Sequence, residues 1–430
     1  LIITFIFISS NIISSDDEKV KDIFNTNNTN QIIMDIEAAL ARAQSSQGII
    51  PEWAANEITA KANIKYMPQE KVDEEYQLVR HRLVSRLNVW KKSLDYGAEE
   101  YLHFGATTVD IFDTVLVLQV KKSISIFLDG LLEIEADLLK LTKDNIDTYM
   151  VGRTIGQHAL PMTFGKKTST WLAENRRNIE RLQAVELKIN QSAILKGAVG
   201  TYLGLGEMAI ETEELMAKEL GLSKPYIADW HGIRDVFAEY ALTLALISKS
   251  FGRIGDELTL LQMTEIGETL ENLGIKAIGS STMPHKKNPD IFELIRGKCN
   301  LLQGLPHQLS LLNSNLPSGY HREMQLAKGL LIEAFHEIKS CLDMFQYSLA
   351  QIEVNKNLLE LSKYDYLFSV DTLNEWVKGG MPFREAYKKM GEEIAGGNYK
   401  PKKRVIHSHL GSIGNLALEA IRSKMQTQLD

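Results

Sequence analysis

Apolar residues recur at three- and four-residue spacing through residues 115–150, 165–195, 206–220 and 234–271, with few internal glycines or prolines. Such spacing lines one face of an α-helix and predicts four long amphipathic helices. In the last stretch Tyr240, Leu244, Ile247, Phe251, Ile254, Leu258 and Leu261 form a stripe, with Glu239, Lys249, Arg253 and Glu257 off it, and its plain meaning is core packing. No run of alternating apolar and polar residues between hairpin turn signals stands out, and no Gly-rich strand-to-helix fingerprint is present. The pattern therefore predicts an all-α fold without a parallel sheet. Helices of about 25 residues run to roughly 38 Å. Helices so apolar need neighbours beyond those one chain supplies, which predicts oligomerisation through a helix bundle. Residues 15–30 are polar and Asn-rich and read as a loosely ordered leader into the first helix.

The stretch Gly279-Ser-Ser-Thr-Met-Pro-His-Lys-Lys-Asn-Pro289 interrupts the helical pattern and concentrates chemistry. Pro284 and Pro289 lack the N–H that a helix interior or central strand uses, and Gly279 permits backbone conformations closed to other residues, so the segment reads as a loop. Ser280 and Ser281 offer hydroxyls that act as a base when neighbouring cations stabilise the alkoxide. Lys286 and Asn288 offer donors for developing negative charge. This inventory suits proton abstraction beside a carboxylate; a solvated polar surface loop is the plainer alternative.

The stretch resembles the signature loop of the fumarase/aspartase superfamily, G-S-S-x-M-P-x-K-x-N-P, with every fixed position filled. Residues 103–114, His-Phe-Gly-Ala-Thr-Thr-Val-Asp-Ile-Phe-Asp-Thr, resemble the superfamily's first substrate-binding region, and residues 152–165, Gly-Arg-Thr-Ile-Gly-Gln-His-Ala-Leu-Pro-Met-Thr-Phe-Gly, its second. Met34–Gln44 is similar to its N-terminal helix. The resemblance implies an all-α, three-domain fold with a long central helical bundle: an N-terminal domain to residue 112 with the first region, a central bundle over 113–355 with the second region and the loop, and a small helical domain over 356–430. It implies a cofactor-independent lyase and a homotetramer whose active sites are shared between subunits. Ser280 becomes the base, Lys286 and Asn288 the donors, Thr107 and Thr108 the carboxylate holders, and Thr154, Gln157, Ser281, Met283 and Arg322 further substrate contacts. Thr107 and Thr108 also suit a plain helix-capping role, Asp113 a structural tether and Arg153 a structural role.

The second region departs from its amine-releasing relatives, the adenylosuccinate and argininosuccinate lyases, which place His directly after the motif's Thr as their usual general acid. Here that position is Ile155. Either His81, His103 or His158 supplies the proton, or the leaving group departs as a stable anion, as a lactone carboxylate does in the carboxymuconate cycloisomerase branch. A second departure is Arg82 after His81, where adenylosuccinate lyases keep a His-Asp pair; a lone His on a helix is more often structural. Gly197–Thr201 and Trp230–Asp235 look like the cycloisomerase and adenylosuccinate lyase side, whereas Pro289–Lys298, Tyr320–Gln325 and Met381–Ala386 look like argininosuccinate lyase. The expected reaction is β-elimination of fumarate from an N-substituted aspartate of the adenylosuccinate type. Cycloisomerase chemistry, argininosuccinate cleavage and a noncatalytic tetrameric scaffold are the alternatives.

Composition narrows the partners. The chain has 430 residues, 44% hydrophobic and 24% charged, which predicts a globular protein of two or three domains. Its formal net charge of -7 argues against a phosphate-backbone binder while leaving room for a basic pocket that takes a small dicarboxylate. Two cysteines, Cys299 and Cys341, cannot build a disulfide framework or a cysteine-rich metal site, and no H-E-x-x-H spacing occurs. No metal and no cofactor are expected, and a reducing cytoplasmic setting is. Leu1–Ser9 is apolar but too short to span a bilayer and lacks the flanks of a signal peptide, so no membrane partner is expected.

Overall fold

The longest element explains the architecture. In α5 (Thr108–Asp144) the buried residues Val117, Val120, Ile124, Phe127, Leu131, Ile134 and Leu138 alternate three- and four-residue steps, the seam of a helix packed along its length against other helices. At 37 residues it is about 55 Å long. The computed structural model describes residues 22–227, 234–274, 280–312, 324–405 and 407–426. Among them α1 (Thr26–Ser46), α2 (Glu52–Ala60), α3 (Gln69–Val79) and α4 (Arg82–Lys91) precede α5; α6 (Phe164–Ile189), α7 (Ala209–Glu219), α8 (Arg234–Leu261), α9 (Asp290–Leu301), α10 (Leu305–Leu312) and α11 (Met324–Leu349) follow. Helices α12 (Ser369–Lys378), α13 (Phe383–Ala395) and α14 (Leu418–Gln426) complete the set. The only strands among the described residues form two antiparallel pairs, β1 (Tyr149–Thr154) with β2 (Gln157–Thr163) and β3 (Thr269–Glu271) with β4 (Ile352–Val354). The fold is all-α. No described helix is long and apolar enough to cross a membrane.

The chain divides into two compact units. One comprises residues 1–130, 178–249 and 299–341; its core gathers Ile33, Ile36 and Leu40 of α1, Leu83, Leu87 and Trp90 of α4, and Ile111 and Val115 of α5. Burying a large apolar side chain of this kind stabilises by about 1.5–3 kcal/mol. The other comprises residues 131–177, 250–298 and 342–430; Val151 of β1 packs there with Leu358, Tyr364 and Phe368, while Leu373, Ala386 and Met390 seal α12 against α13.

Every member of the expected α8 stripe, Tyr240 to Leu261, is buried. Three expectations need correction. Helix α8 stops at Leu261 rather than 271, because the chain turns at Gly267 (φ +63°) into β3. Residues 149–163 form a hairpin where a helix end and irregular chain were read, and its two-residue turn, Ile155 (φ +51°) and Gly156 (φ +74°), has the left-handed geometry hairpins favour. The leader is also shorter than expected. Asn25 caps α1 by accepting the Asn28 N–H at 2.7 Å, so part of the Asn-rich stretch starts the helix.

Candidate active site

The first region occupies the turn into α5. Gly105 (φ +77°) and Gly204 let two backbone segments touch: a Cβ on Gly105 would lie 2.8 Å from the Gly204 carbonyl oxygen and 2.7 Å from Leu205 Cδ2. The Asp110 carboxylate, fully buried, accepts N–H bonds from Thr107 (2.9 Å), Lys196 (2.9 Å) and Gly197 (3.0 Å). Burial nevertheless pushes its pKa up, with the three amides pulling the other way. Asp110 lies three residues past Thr107 and reaches back to its N–H, the carboxylate half of a capping box that fixes where Thr107 and Thr108 stand. Both threonines are half-buried.

Behind this turn lies Lys196, buried and paired with Glu213 at 2.7 Å; it also donates to the Tyr202 hydroxyl and the Tyr226 carbonyl. His103 (φ +65°) binds Glu37 of α1 through Nδ1 at 2.7 Å. Burial opposes a charged imidazole, but Glu37, with Asp110 beyond it, outweighs that cost and its pKa lies above the ordinary value. This contact makes His103 a tie between α1 and the first region. His81 caps α4, its Nδ1 accepting the Val84 N–H at 3.2 Å, a structural use of the ring.

The second region is the hairpin. Thr154 and Gln157 face each other across the turn, both exposed, with Ile155 fully exposed at the tip. His158 is also exposed and packs on the Tyr364 ring at 5.1 Å. Its pKa is lowered, first by partial burial and then by Arg153 and Lys363, against the pull of Glu268. A neutral imidazole there is a poor acid at neutral pH.

Of the signature loop, Ser280–Pro289 is described. Ser280 is half-buried and its Oγ accepts N–H bonds from Met283 (3.1 Å) and Thr282 (3.4 Å). Two amides aimed at one hydroxyl oxygen favour its deprotonated form. Ser281, Met283 and Lys286 are exposed, and the Lys286 N–H closes a turn onto the Met283 carbonyl at 3.0 Å. Asn288 hydrogen-bonds Asp290, whose carboxyl is pushed up by burial, with Asn288 opposing. The loop thus brings a hydroxyl, an ammonium and an amide together in nine residues. Arg322 lies outside the described residues. Two shallow surface depressions, about 550 and 460 Å³, are lined by residues between Trp53 and Tyr96 and contain none of the candidate groups.

Residues 13–304 match the Lyase family model. This chain is a lyase of the fumarase/aspartase superfamily. Adenylosuccinate lyase of Pyrococcus abyssi is 34% identical to it over 354 residues, which span 80% of this chain and 78% of the relative. Argininosuccinate lyase of Bacteroides fragilis is 31% identical over 371 residues, 85% of this chain and 79% of the relative. The crystal structure of 3-carboxy-cis,cis-muconate lactonizing enzyme from Pseudomonas putida has a TM-score of 0.75 at 26% identity, with 96% of this chain and 92% of that chain covered.

Sequence reasoning passed over one basic cluster in this lyase. Burial, then Arg86 and Arg82, lower the pKa of Lys328 on α11 to about 8. Arg86 is anchored by donating to Asn30 Oδ1 at 2.7 Å and to the Arg82 carbonyl at 2.7 Å. No carboxylate among the described residues pairs with Lys328. Lys328 thus feels the positive charge of both arginines, and such a concentration of cations suits an anionic ligand group. The replacement of the expected Asp by Arg82 was the one signal in the sequence that pointed there.

Proposed function

We propose that this lyase removes a proton from Cβ of an N-substituted aspartate, the carbon beside the side-chain carboxylate, with adenylosuccinate as the first candidate, and expels the amine from Cα to leave fumarate. The Ser280 hydroxyl carries the reading: two amide N–H groups on a loop that also presents Lys286 and Asn288 stabilise a serine alkoxide able to take a carbon-bound proton. Lys286 and Asn288 then meet the charge that builds on the adjacent carboxylate, and Thr107, Thr108, Thr154 and Gln157 hold the substrate's carboxylates. The C–H and C–N bonds break, the double bond of fumarate forms, and the nitrogen takes up a proton. The Arg82, Arg86 and Lys328 cluster supports a substrate with an anionic group beyond the succinyl moiety, as the phosphate of adenylosuccinate is. Leu242, Leu246 and Leu260, each about half exposed on α8 while its stripe is buried, support a homotetramer built on the long helices. The three-part domain division near residues 112 and 355, active sites shared between subunits and a cytoplasmic setting belong to the same reading.

Ile155 favours a second reading, C–O chemistry on a carboxymuconate, because a carboxylate leaves without an acid. Purified protein incubated in turn with adenylosuccinate, argininosuccinate and 3-carboxymuconolactone, with the absorbance of the conjugated product followed, separates the readings. Turnover of adenylosuccinate, lost in Ser280→Ala, is expected. Turnover of the lactone alone overturns the amine reading.

A further inference from the structure

We propose that Glu271 is a positioning residue for the elimination, clamping the exit of the signature loop so that Lys286 and Asn288 are held in place. This rests on the reading of the loop as the catalytic segment. Glu271 ends β3 and is buried. Its Oε2 accepts the Ile291 N–H at 3.1 Å, the Phe292 N–H bonds the same carboxylate, and Oε1 accepts the Ser348 hydroxyl of α11 at 2.8 Å. Ile291 and Phe292 are the second and third residues of α9, which begins directly after Pro289, so the carboxylate grips the helix into which the loop runs.

The opposite side of the grip is Gln262. Its Oε1 accepts the Glu271 N–H at 2.7 Å and its Nε2 donates to the Lys287 carbonyl at 3.1 Å, one residue from Lys286 and one from Asn288. The same short segment reaches the second region. Glu268 pairs with Arg153 at 2.5 Å and accepts the Val151 N–H at 3.3 Å, both on β1. Three side chains within ten residues thus bind the hairpin, the loop and the helix that follows it. None of them carries chemistry, and their spacing has no sequence signature.

The titration of Glu271 makes the proposal testable. Burial pushes its pKa up to about 7, against the pull of Ser348 and the two amides. Asp290 is the charged group facing it from α9, and Ser348 and Gln262 are the polar contacts from α11 and the chain after α8; on β4, Glu353 is turned to Asn272. The ionised carboxylate is the stronger acceptor, so the grip tightens as pH rises through about 7. Global stability moves the other way. A carboxyl whose folded pKa lies above the unfolded value adds stability below that value and loses it as pH rises through the folded one. Loop order and kcat should therefore rise through the range in which stability falls, a divergence that a merely structural residue does not produce.

The experiment compares the full-length protein with Glu271→Gln, whose amide keeps an acceptor for the two N–H groups but does not ionise. In Glu271→Gln, kcat should fall roughly tenfold above the transition with KM within about twofold, and the acidic limb of the pH profile should vanish. Unchanged kcat and an unchanged limb overturn the proposal. Amide exchange of the peptide spanning residues 286–296, measured in the wild-type protein one pH unit either side of the transition and corrected for intrinsic rates, tests the clamp without a substrate. Protection should rise with pH, and pH-independent protection overturns the clamp even where Glu271→Gln fails to fold. Should no succinyl substrate be turned over at all, the elimination reading fails while this exchange arm still decides whether the clamp exists.

Discussion

Replacing Ile155 tests both the geometry of the hairpin and the missing acid. A left-handed conformation costs an L-residue about 1–2 kcal/mol, and a β-branched side chain sits at the unfavourable end, whereas Asn and His are enriched there. Ile155 has φ +51° and its side chain is fully exposed, so replacing it forfeits no packing within the chain. Ile155→Asn should therefore stabilise the protein by about 1 kcal/mol in urea unfolding. Ile155→His should gain somewhat less and place an imidazole where amine-releasing relatives carry theirs. A positioned general acid contributes about 10²–10⁴ to a rate. An exposed imidazole with its ordinary pKa near 6.5 is mostly neutral above pH ~7.5, so the gain grows as pH falls. Steady-state assays with adenylosuccinate should show kcat rising at least about tenfold near pH ~6.5, with turnover of the lactone unchanged. An unchanged kcat on the amine substrate at every pH would refute the placement of residue 155 beside the leaving nitrogen. A loss of stability in Ile155→Asn would refute the strain argument and show that a neighbouring copy covers the tip.

Three further substitutions probe the frame around the site. Gly105→Ala combines the left-handed backbone with a Cβ 2.8 Å from the Gly204 carbonyl, and should cost roughly 2–4 kcal/mol and most of the activity; a loss under about 1 kcal/mol in urea unfolding would show that the two glycine segments do not touch. Lys196→Met leaves the Glu213 carboxylate buried without its cation and should cost about 3–5 kcal/mol, while the double variant Lys196→Met/Glu213→Leu recovers most of that loss; no recovery would locate the damage in packing. Lys328, with its pKa lowered to about 8, is cationic below that pH and neutral above it, so KM for a substrate with an extra anionic group should climb as pH rises through about 8. In Lys328→Met that dependence should disappear and KM at neutral pH should rise roughly tenfold; a flat profile in the wild-type protein would remove the cluster from substrate binding.

What could be read in the sequence divides along a physical line. The α8 stripe was legible because burial along one helix repeats every three or four residues, and Tyr240 through Leu261 all proved buried. The signature loop was legible because Pro284, Pro289 and the polar inventory between them exclude regular structure. The hairpin was not, because its turn is Ile-Gly rather than Asn-Gly or Asp-Gly, and β2 contains Pro161 at a position paired with Val151. Only the backbone angles of Ile155 and Gly156 reveal the turn.

The residues that hold the loop were illegible for a different reason. Gln262, Glu268 and Glu271 are polar residues that any sequence reading places in solvent, yet Glu268 and Glu271 are buried and each binds backbone N–H groups well removed along the chain. Most of their partners are main-chain atoms, which carry no residue identity for a sequence pattern to register. The same holds for Asp110, whose three amide partners are two residues far along the chain and one three residues before it. Both regions are thus fixed by a buried carboxylate gripping backbone amides. The residues expected to react, by contrast, are exposed or half-buried and make few contacts of their own. A substitution at Asp110 or Glu271 should therefore disturb chemistry without touching substrate, and a substitution at Ser281 or Met283 should leave stability nearly unchanged.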